Sequence, residues 1–144
     1  MDKLLEQDIN LFLIEAQKHC NIKFAYIFGS YARGESCENS DIDFAIMLEK
    51  NLSKIDEVFL RGNLIELAKE IFKISADVIF LNMDSPLLKY EVIKDGIVVK
   101  DHDSRAEFES LSLREYFYFK YYSDYYDACL LEFLKSKRME SVNG

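Results

Sequence analysis

The sequence of 144 residues contains no tryptophan, one proline and three cysteines that lie far apart. Because Cys20, Cys37 and Cys129 form no Cys-x-x-C pair, they predict neither a disulfide framework nor a zinc site, and a reducing cytoplasm suits them best. No apolar run approaches the roughly 20 residues that a membrane-spanning helix needs. The N-terminus is charged from Asp2 onward, so we expect no signal peptide and no membrane partner.

Basic residues are also scarce, since 18 Lys and Arg stand against 26 Asp and Glu and the formal net charge is −8. A surface this acidic disfavours a groove that holds duplex DNA or RNA, although a local basic pocket could still take a nucleotide. Nearly half of the residues are apolar, which is typical of a globular protein. The length predicts a single domain over residues 1–144.

One stretch carries most of the chemical signal. An apolar run that ends at Phe28 predicts a strand, and Gly29-Ser30-Tyr31-Ala32-Arg33-Gly34 follows as a turn that would open a short helix and stop at Gly34. After a polar loop over 35–40, Asp41 and Asp43 begin a second apolar run. They project from one face of that strand, because side chains alternate. Two adjacent carboxylates repel each other, and Mg²⁺ would remove the repulsion.

The remaining periodicity predicts an α/β (α+β) fold. Helices are expected over 4–16, 55–74, 87–93 and about 103–137, and strands over 23–28, 42–48, 76–81 and 97–99. The third strand carries an acid of its own, Asp77. If the strands are neighbours, Asp41, Asp43 and Asp77 could meet at one edge of the sheet.

Three convergent carboxylates would form a site for one or two Mg²⁺ ions. Two such ions clamp the attacking and leaving oxygens of an in-line phosphoryl displacement, and a carboxylate can take the proton of the incoming hydroxyl. Gly29 would let backbone approach a phosphate, and Ser30 offers an N–H and a hydroxyl at the start of the short helix. Arg33 could point its guanidinium at the same phosphates.

This constellation resembles a known signature. Gly29-Ser30, ten residues and then Asp41-x-Asp43 is similar to the motif of the polymerase-beta nucleotidyltransferase superfamily, and its compact form resembles the minimal nucleotidyltransferase (MNT) proteins. The later segments 86–93, 103–109 and 113–116 resemble the MntA antitoxins, which are encoded beside HEPN-domain ribonuclease toxins. The resemblance covers nearly the whole chain.

The resemblance implies a polymerase-beta-like fold with a small mixed sheet flanked by helices and a long C-terminal helix. It also implies an activity, because such antitoxins use Mg²⁺ and ATP to place AMP on a tyrosine of the HEPN toxin. Carried onto this sequence, Gly29 and Ser30 would hold the triphosphate, while Asp41 and Asp43 would bind metal. Asp77 would be the third carboxylate and the base.

Simpler interpretations stand beside these. The acids could line a solvated strand edge, Ser30 could act only as a helix cap, and Arg33 could be a surface residue. For function, the alternatives are an antitoxin that binds the toxin without catalysis, and a nucleotidyltransferase that acts on a small molecule.

The last predicted helix is rich in aromatic residues. Five residues follow 3-4 spacing and are expected to form a core seam: Phe119, Tyr122, Tyr126, Cys129 and Phe133. Tyr118, Tyr121 and Tyr125 lie on another side, so the helix is buried on more than one face or meets a partner in a homo- or hetero-oligomer. Acidic neighbours favour a protein partner over nucleic acid.

Overall fold

The computed structural model describes residues 3–35 and 40–143, with side chains described as far as Met139. The elements are α1 (Lys3–Ala16), β1 (Ile22–Phe28), β2 (Ile42–Leu48), α2 (Lys54–Phe72), β3 (Ala76–Phe80), α3 (Pro86–Asp95), β4 (Ile97–Lys100) and α4 (Arg105–Asn143). The predicted α/β (α+β) fold is confirmed. Cys37 and residues 36–39 of the predicted polar loop lie outside the described residues.

The four strands form one mixed sheet in the order β3-β2-β1-β4. β1 runs antiparallel to both β2 and β4, whereas β2 and β3 are parallel. The two central strands are apolar except for Lys23 and Asp43, because helices cover both faces of the sheet. β3 is an edge strand, so its outer side faces a helix or solvent rather than another strand.

Each face of the sheet has its own apolar core. Helices α1 and α2 cover one face, where Phe12 and Leu64 pack with Phe44 of β2. Helices α3 and α4 cover the other face, where Val92 and Phe108 pack with residues of β1 and β2. Ser85 caps α3 by accepting the N–H of Leu88, and Pro86 occupies the first helical turn as predicted.

The first three turns of α4, which we call the root (residues 105–116), are fixed to the sheet. The buried hydroxyl of Tyr26 donates to Glu109 Oε1 at 2.6 Å, and Arg105 donates to the same oxygen at 2.8 Å. Burial, together with the neighbouring Glu109 carboxylate, raises the pKa of Tyr26. Tyr90 of α3 stacks on Tyr116 with ring centroids 3.7 Å apart. The root therefore holds the rest of α4 in one direction.

The remainder of α4 contradicts the expected core seam. In the segment that we call the tail (residues 117–139), every large apolar side chain is between 49% and 68% exposed, including Phe119, Tyr122, Tyr126 and Phe133, and Cys129 is exposed as well. A helix of 39 residues is about 58 Å long and outreaches so small a domain. Helical spacing predicted an apolar face correctly, but no other helix or strand that the structure describes covers it.

Helix α4 extends through Asn143, beyond the predicted end near 137. Charged residues interrupt its apolar face. Among the described helices, none combines the length and the apolar character that crossing a membrane requires.

Candidate functional site

The predicted acids lie close together on two neighbouring strands, with Asp41 immediately before β2, Asp43 in β2 and Asp77 in β3. Asp43 of β2 is paired with Phe28, the last residue of β1, and with Asp77 of β3 on its other side. In-register neighbours project from the same face of a sheet, about 4.8 Å apart, so the Asp43 and Asp77 side chains stand side by side. Asp41 lies two residues before Asp43 and therefore shares that face. It is the face that α3 and α4 cover farther along the sheet.

The charges of Asp77 and Asp41 both act on Asp43. Burial raises the pKa of Asp43, and the carboxylates of Asp77 and Asp41 raise it further, while Arg33 lowers it. An acid with two carboxylates around it is destabilised in its ionised form, and ordinary folding gains nothing from such a cluster. The arrangement is therefore typical of a site that receives positive charge.

Gly29 follows the last residue of β1 and lies directly beside Asp43. Its φ of 75° lies in the left-handed region, and a Cβ added there would stand 2.5 Å from Asp43 Oδ2. A side chain at this position would thus collide with the carboxylate as well as strain the backbone. Only glycine lets the backbone leave β1 this close to the Asp43 carboxylate.

We expect Gly29→Ala to lower the catalytic rate by about 10- to 100-fold, because a displacement of the Asp43 carboxylate by about 1 Å misplaces the reacting groups. The left-handed backbone adds a cost of about 1 kcal/mol to folding. Steady-state kinetics and thermal unfolding would measure the two effects separately. Gly34→Ala is the matched control, since Gly34 has a similar φ of 73° but no atom within 4 Å of its added Cβ. Equal losses of activity in both variants would contradict a role of Gly29 at the acids.

The short helix predicted after Gly29 is instead a single turn. Arg33 N–H donates to Gly29 O, and the turn closes with Glu35 N–H on Ser30 O and Gly34 N–H on Tyr31 O. This is a Schellman ending with Gly34 in the left-handed position, so Gly34 stops the turn as predicted. Because no helix follows Ser30, a helix dipole cannot attract a phosphate there, and the N–H groups of the turn would have to bind it.

Arg33 lies at the margin of the site and is half exposed. Its Nε donates to Glu35 at 3.0 Å, and its Nη1 lies 3.9 Å from Asp95 Oδ2 at the end of α3. Its charge still reaches Asp43, whose pKa it lowers. The predicted contact of Arg33 with phosphate would require it to exchange these exposed partners, and such surface ion pairs are weak.

A residue that the sequence did not indicate, Arg61 of α2, lies against the third acid. Its Nη2 donates to Asp77 Oδ1 at 2.8 Å and its Nε donates to the backbone oxygen of Val78 at 2.6 Å. No motif marks this arginine, because its contact with β3 depends on how α2 packs along the sheet. Only the fold could identify it.

The carboxylates suit a divalent cation, although they do not form a complete cage. Within residues 3–35 and 40–143, no three side chains of His, Cys, Asp or Glu are placed to hold a metal ion by themselves. Mg²⁺, however, usually takes one or two carboxylates and completes its shell with water and phosphate oxygens. Asp43, which lies against the backbone of Gly29, and Asp41, whose charge acts on Asp43, fit that requirement.

Comparison with known proteins assigns the family. The sequence profile described as "Polymerase beta, Nucleotidyltransferase" matches residues 13–105, a range that contains all four strands and the six predicted site residues. The chain belongs to this nucleotidyltransferase family. A protein of Methanocaldococcus jannaschii named "Putative protein adenylyltransferase MJ0435" is 41% identical over 83 residues, which are 57% of this chain and 83% of that protein.

Solved structures share the fold over a longer part of the chain. A toxin–antitoxin crystal structure with AMP-PNP superposes with a TM-score of 0.70 at 22% identity, and covers 88% of this chain and 98% of the matched chain. The tri-AMPylated Shewanella oneidensis HEPN toxin in complex with its MNT antitoxin gives a TM-score of 0.65 at 19% identity, with the same coverage. The expected polymerase-beta-like fold and the resemblance to MNT antitoxins are confirmed.

Proposed function

We propose that this nucleotidyltransferase is an antitoxin that transfers AMP from ATP onto a tyrosine of a HEPN ribonuclease toxin. The observation that carries the proposal is the cluster of Asp41, Asp43 and Asp77, in which Asp43 lies against the backbone of Gly29. The name of the Methanocaldococcus jannaschii relative and the AMPylated toxin in one structural neighbour support the type of reaction and the partner.

In this proposal Gly29 and Ser30 bind the triphosphate through the N–H groups of their turn, and Arg33 adds positive charge. Asp41 and Asp43 would hold Mg²⁺, with Asp77 as the third carboxylate, and two ions would suit this reaction. The ions would supply charge neutralisation at the phosphates. The raised pKa of Asp43 fits this role, because a cation relieves the repulsion that causes the shift.

The transfer itself is a substitution at phosphorus. The tyrosine oxygen forms a bond to the α-phosphorus of ATP, the bond between that phosphorus and the bridging oxygen breaks, and pyrophosphate leaves. The proton of the tyrosine hydroxyl passes to a carboxylate, for which Asp77 is best placed. It lies on the edge strand and is 44% exposed, so an acceptor from another protein can reach it.

The tail is the surface that would bind the toxin. Its exposed aromatic side chains form a large apolar face, and such a face on a small domain marks an interaction site. Tyrosine and phenylalanine are enriched at protein interfaces. The acidic composition of the chain fits a protein partner better than duplex nucleic acid, and the cysteines fit a cytoplasmic pair.

The direct test uses the purified protein, ATP, Mg²⁺ and the HEPN protein encoded next to it. Intact-mass spectrometry is expected to show the HEPN protein gaining one or more units of ~329 Da, the mass of an AMP residue. Peptide mapping should place them on tyrosine. Omitting ATP or adding a chelator provides the control. A HEPN protein whose mass stays unchanged while labelled AMP appears on a small molecule would favour the small-molecule alternative.

A further inference from the structure

Arg61 links the third acid of the site to the backbone of the strand that carries it. From α2 its guanidinium donates through Nε to Val78 O at 2.6 Å and through Nη2 to Asp77 Oδ1 at 2.8 Å. The N–H of Val78 also donates to Asp77 Oδ1, at 2.9 Å. The planar guanidinium of Arg61 thus links the backbone of β3 and the Asp77 carboxylate. This link restricts both the edge strand and the rotamer of the Asp77 side chain.

The contacts to Asp77 involve only one of its two carboxylate oxygens. Both hydrogen bonds that Asp77 accepts from Arg61 and Val78 engage Oδ1, and Oδ2 takes part in neither. Asp77 is in register with Asp43, so its side chain stands on the face of the sheet that carries the other acids. Holding one oxygen toward α2 leaves the second oxygen for a ligand on that face.

The position of Asp77 at the edge of the sheet explains why its side chain needs a residue that fixes its orientation. β3 pairs with β2 alone, and its outer edge receives no strand. An acid at an edge, next to two like charges, would otherwise turn toward solvent, because repulsion favours separation and nothing else fixes its rotamer. The positive charge of Arg61 offsets part of that repulsion while its guanidinium fixes the geometry.

We propose that Arg61 is a positioning residue, which orients Asp77 so that its free oxygen completes the metal- and acceptor-binding face formed by Asp41 and Asp43. The proposal rests on the proposed function, since it deepens the role of the same site. Groups that orient a metal ligand change metal affinity or activity by about 10- to 100-fold when they are removed. Arg61 is 46% exposed, so its effect is expected through Asp77 rather than through the core.

The test measures Mn²⁺ binding, with Mn²⁺ as the probe for the divalent site, in the presence of a non-hydrolysable ATP analogue. Arg61→Met is expected to weaken Mn²⁺ affinity by about 10-fold and to lower AMP transfer at least as much. Arg61→Lys keeps the charge but cannot bridge both acceptors, so we expect an intermediate loss. The matched control is Lys69→Met, a cation on the same helix that is 48% exposed and lies 4.0 Å from Glu66; it should stay within about twofold of wild type.

A double-mutant cycle separates positioning from simple stabilisation of the fold. In an Asp77→Asn background, Arg61→Met should change Mn²⁺ affinity less than about twofold, because its target has been removed. Thermal unfolding reports any loss of structure. If Arg61→Met does not fold, Arg61→Lys replaces it in the cycle with Asp77→Asn.

Three results would overturn the proposal: equal losses in both backgrounds, tighter Mn²⁺ binding by Arg61→Met than by wild type, or no Mn²⁺ binding by wild type. The test also distinguishes this proposal from the proposed function. A protein that shows the Arg61-dependent binding of Mn²⁺ but never modifies the HEPN protein would retain the positioning role and lose the proposed acceptor.

Discussion

The double substitution Asp41→Asn, Asp43→Asn is expected to abolish AMP transfer, with a loss of at least about 1,000-fold. Asp43 lies against the backbone of Gly29 and Asp41 is its acidic neighbour, and an amide can neither neutralise Mg²⁺ nor hold it as firmly as a carboxylate. Intact-mass spectrometry of the HEPN protein, sampled over time at saturating ATP and Mg²⁺, would measure the remaining rate.

Stability provides the control for this variant. Because burial and its two acidic neighbours raise the pKa of Asp43, ionisation of this group costs folding free energy in the metal-free protein. The wild type therefore loses stability as the pH rises through that raised pKa, and Asp43→Asn does not. At neutral pH we expect the metal-free double variant to unfold at the same temperature as wild type or above it, and the difference should disappear in acid. A variant that unfolds at a lower temperature would make the loss of activity uninformative about the site.

The same variant separates catalysis from binding. If the toxin is neutralised by AMP transfer, cells that express the HEPN protein with the double variant should not recover growth. A variant that still restores growth without modifying its partner would show that binding alone neutralises the toxin, and a full rate of modification would refute the assigned site. Co-purification with the HEPN protein would show that the variant still binds.

Replacing three tail side chains, Tyr122→Ala, Tyr126→Ala and Phe133→Ala, is expected to weaken binding of the HEPN protein by at least about 100-fold. Aromatic anchors at an interface each contribute about 2 kcal/mol or more when they are fully covered by a partner. These side chains are between 53% and 68% exposed in the isolated chain, so their removal should leave its unfolding temperature unchanged. Titration calorimetry with the HEPN protein and thermal unfolding would measure the two quantities.

The chain offers a matched control on another surface. Ile55, Val58 and Phe59 of α2 are 69% to 70% exposed, and their triple alanine variant removes apolar area from a different part of the molecule. It should bind the HEPN protein like wild type. Loss of binding in this variant alone would show that the toxin binds α2 instead of the tail. A large drop in the unfolding temperature of the tail variant would show that the tail residues stabilise the core.

Local chemistry explains what could be predicted from the sequence. A strand, a glycine turn and a second strand with two acids at its start involve residues that are near each other along the chain, so spacing alone predicts that Asp41 and Asp43 share a face. The single proline and the apolar runs likewise predict element boundaries to within a few residues. The left-handed Gly34 that ends the turn follows from the same local rules.

Contacts between distant parts of the chain explain what could not be predicted. The aromatic seam of the tail is spaced as a core seam would be, yet periodicity describes one face of a helix and says nothing about what covers it.

The sequence by itself determined the chemistry of this protein: two acids at a fixed spacing from Gly29 and Ser30, within an alternation of helices and strands that admits few folds. The tertiary structure alone decided the rest. Parallel pairing of β2 with β3 set Asp77 in register with Asp43, and the packing of α2 along the edge strand brought Arg61 to Asp77. Both depend on strand order and helix placement, which are set by burial of the whole core rather than by any local pattern.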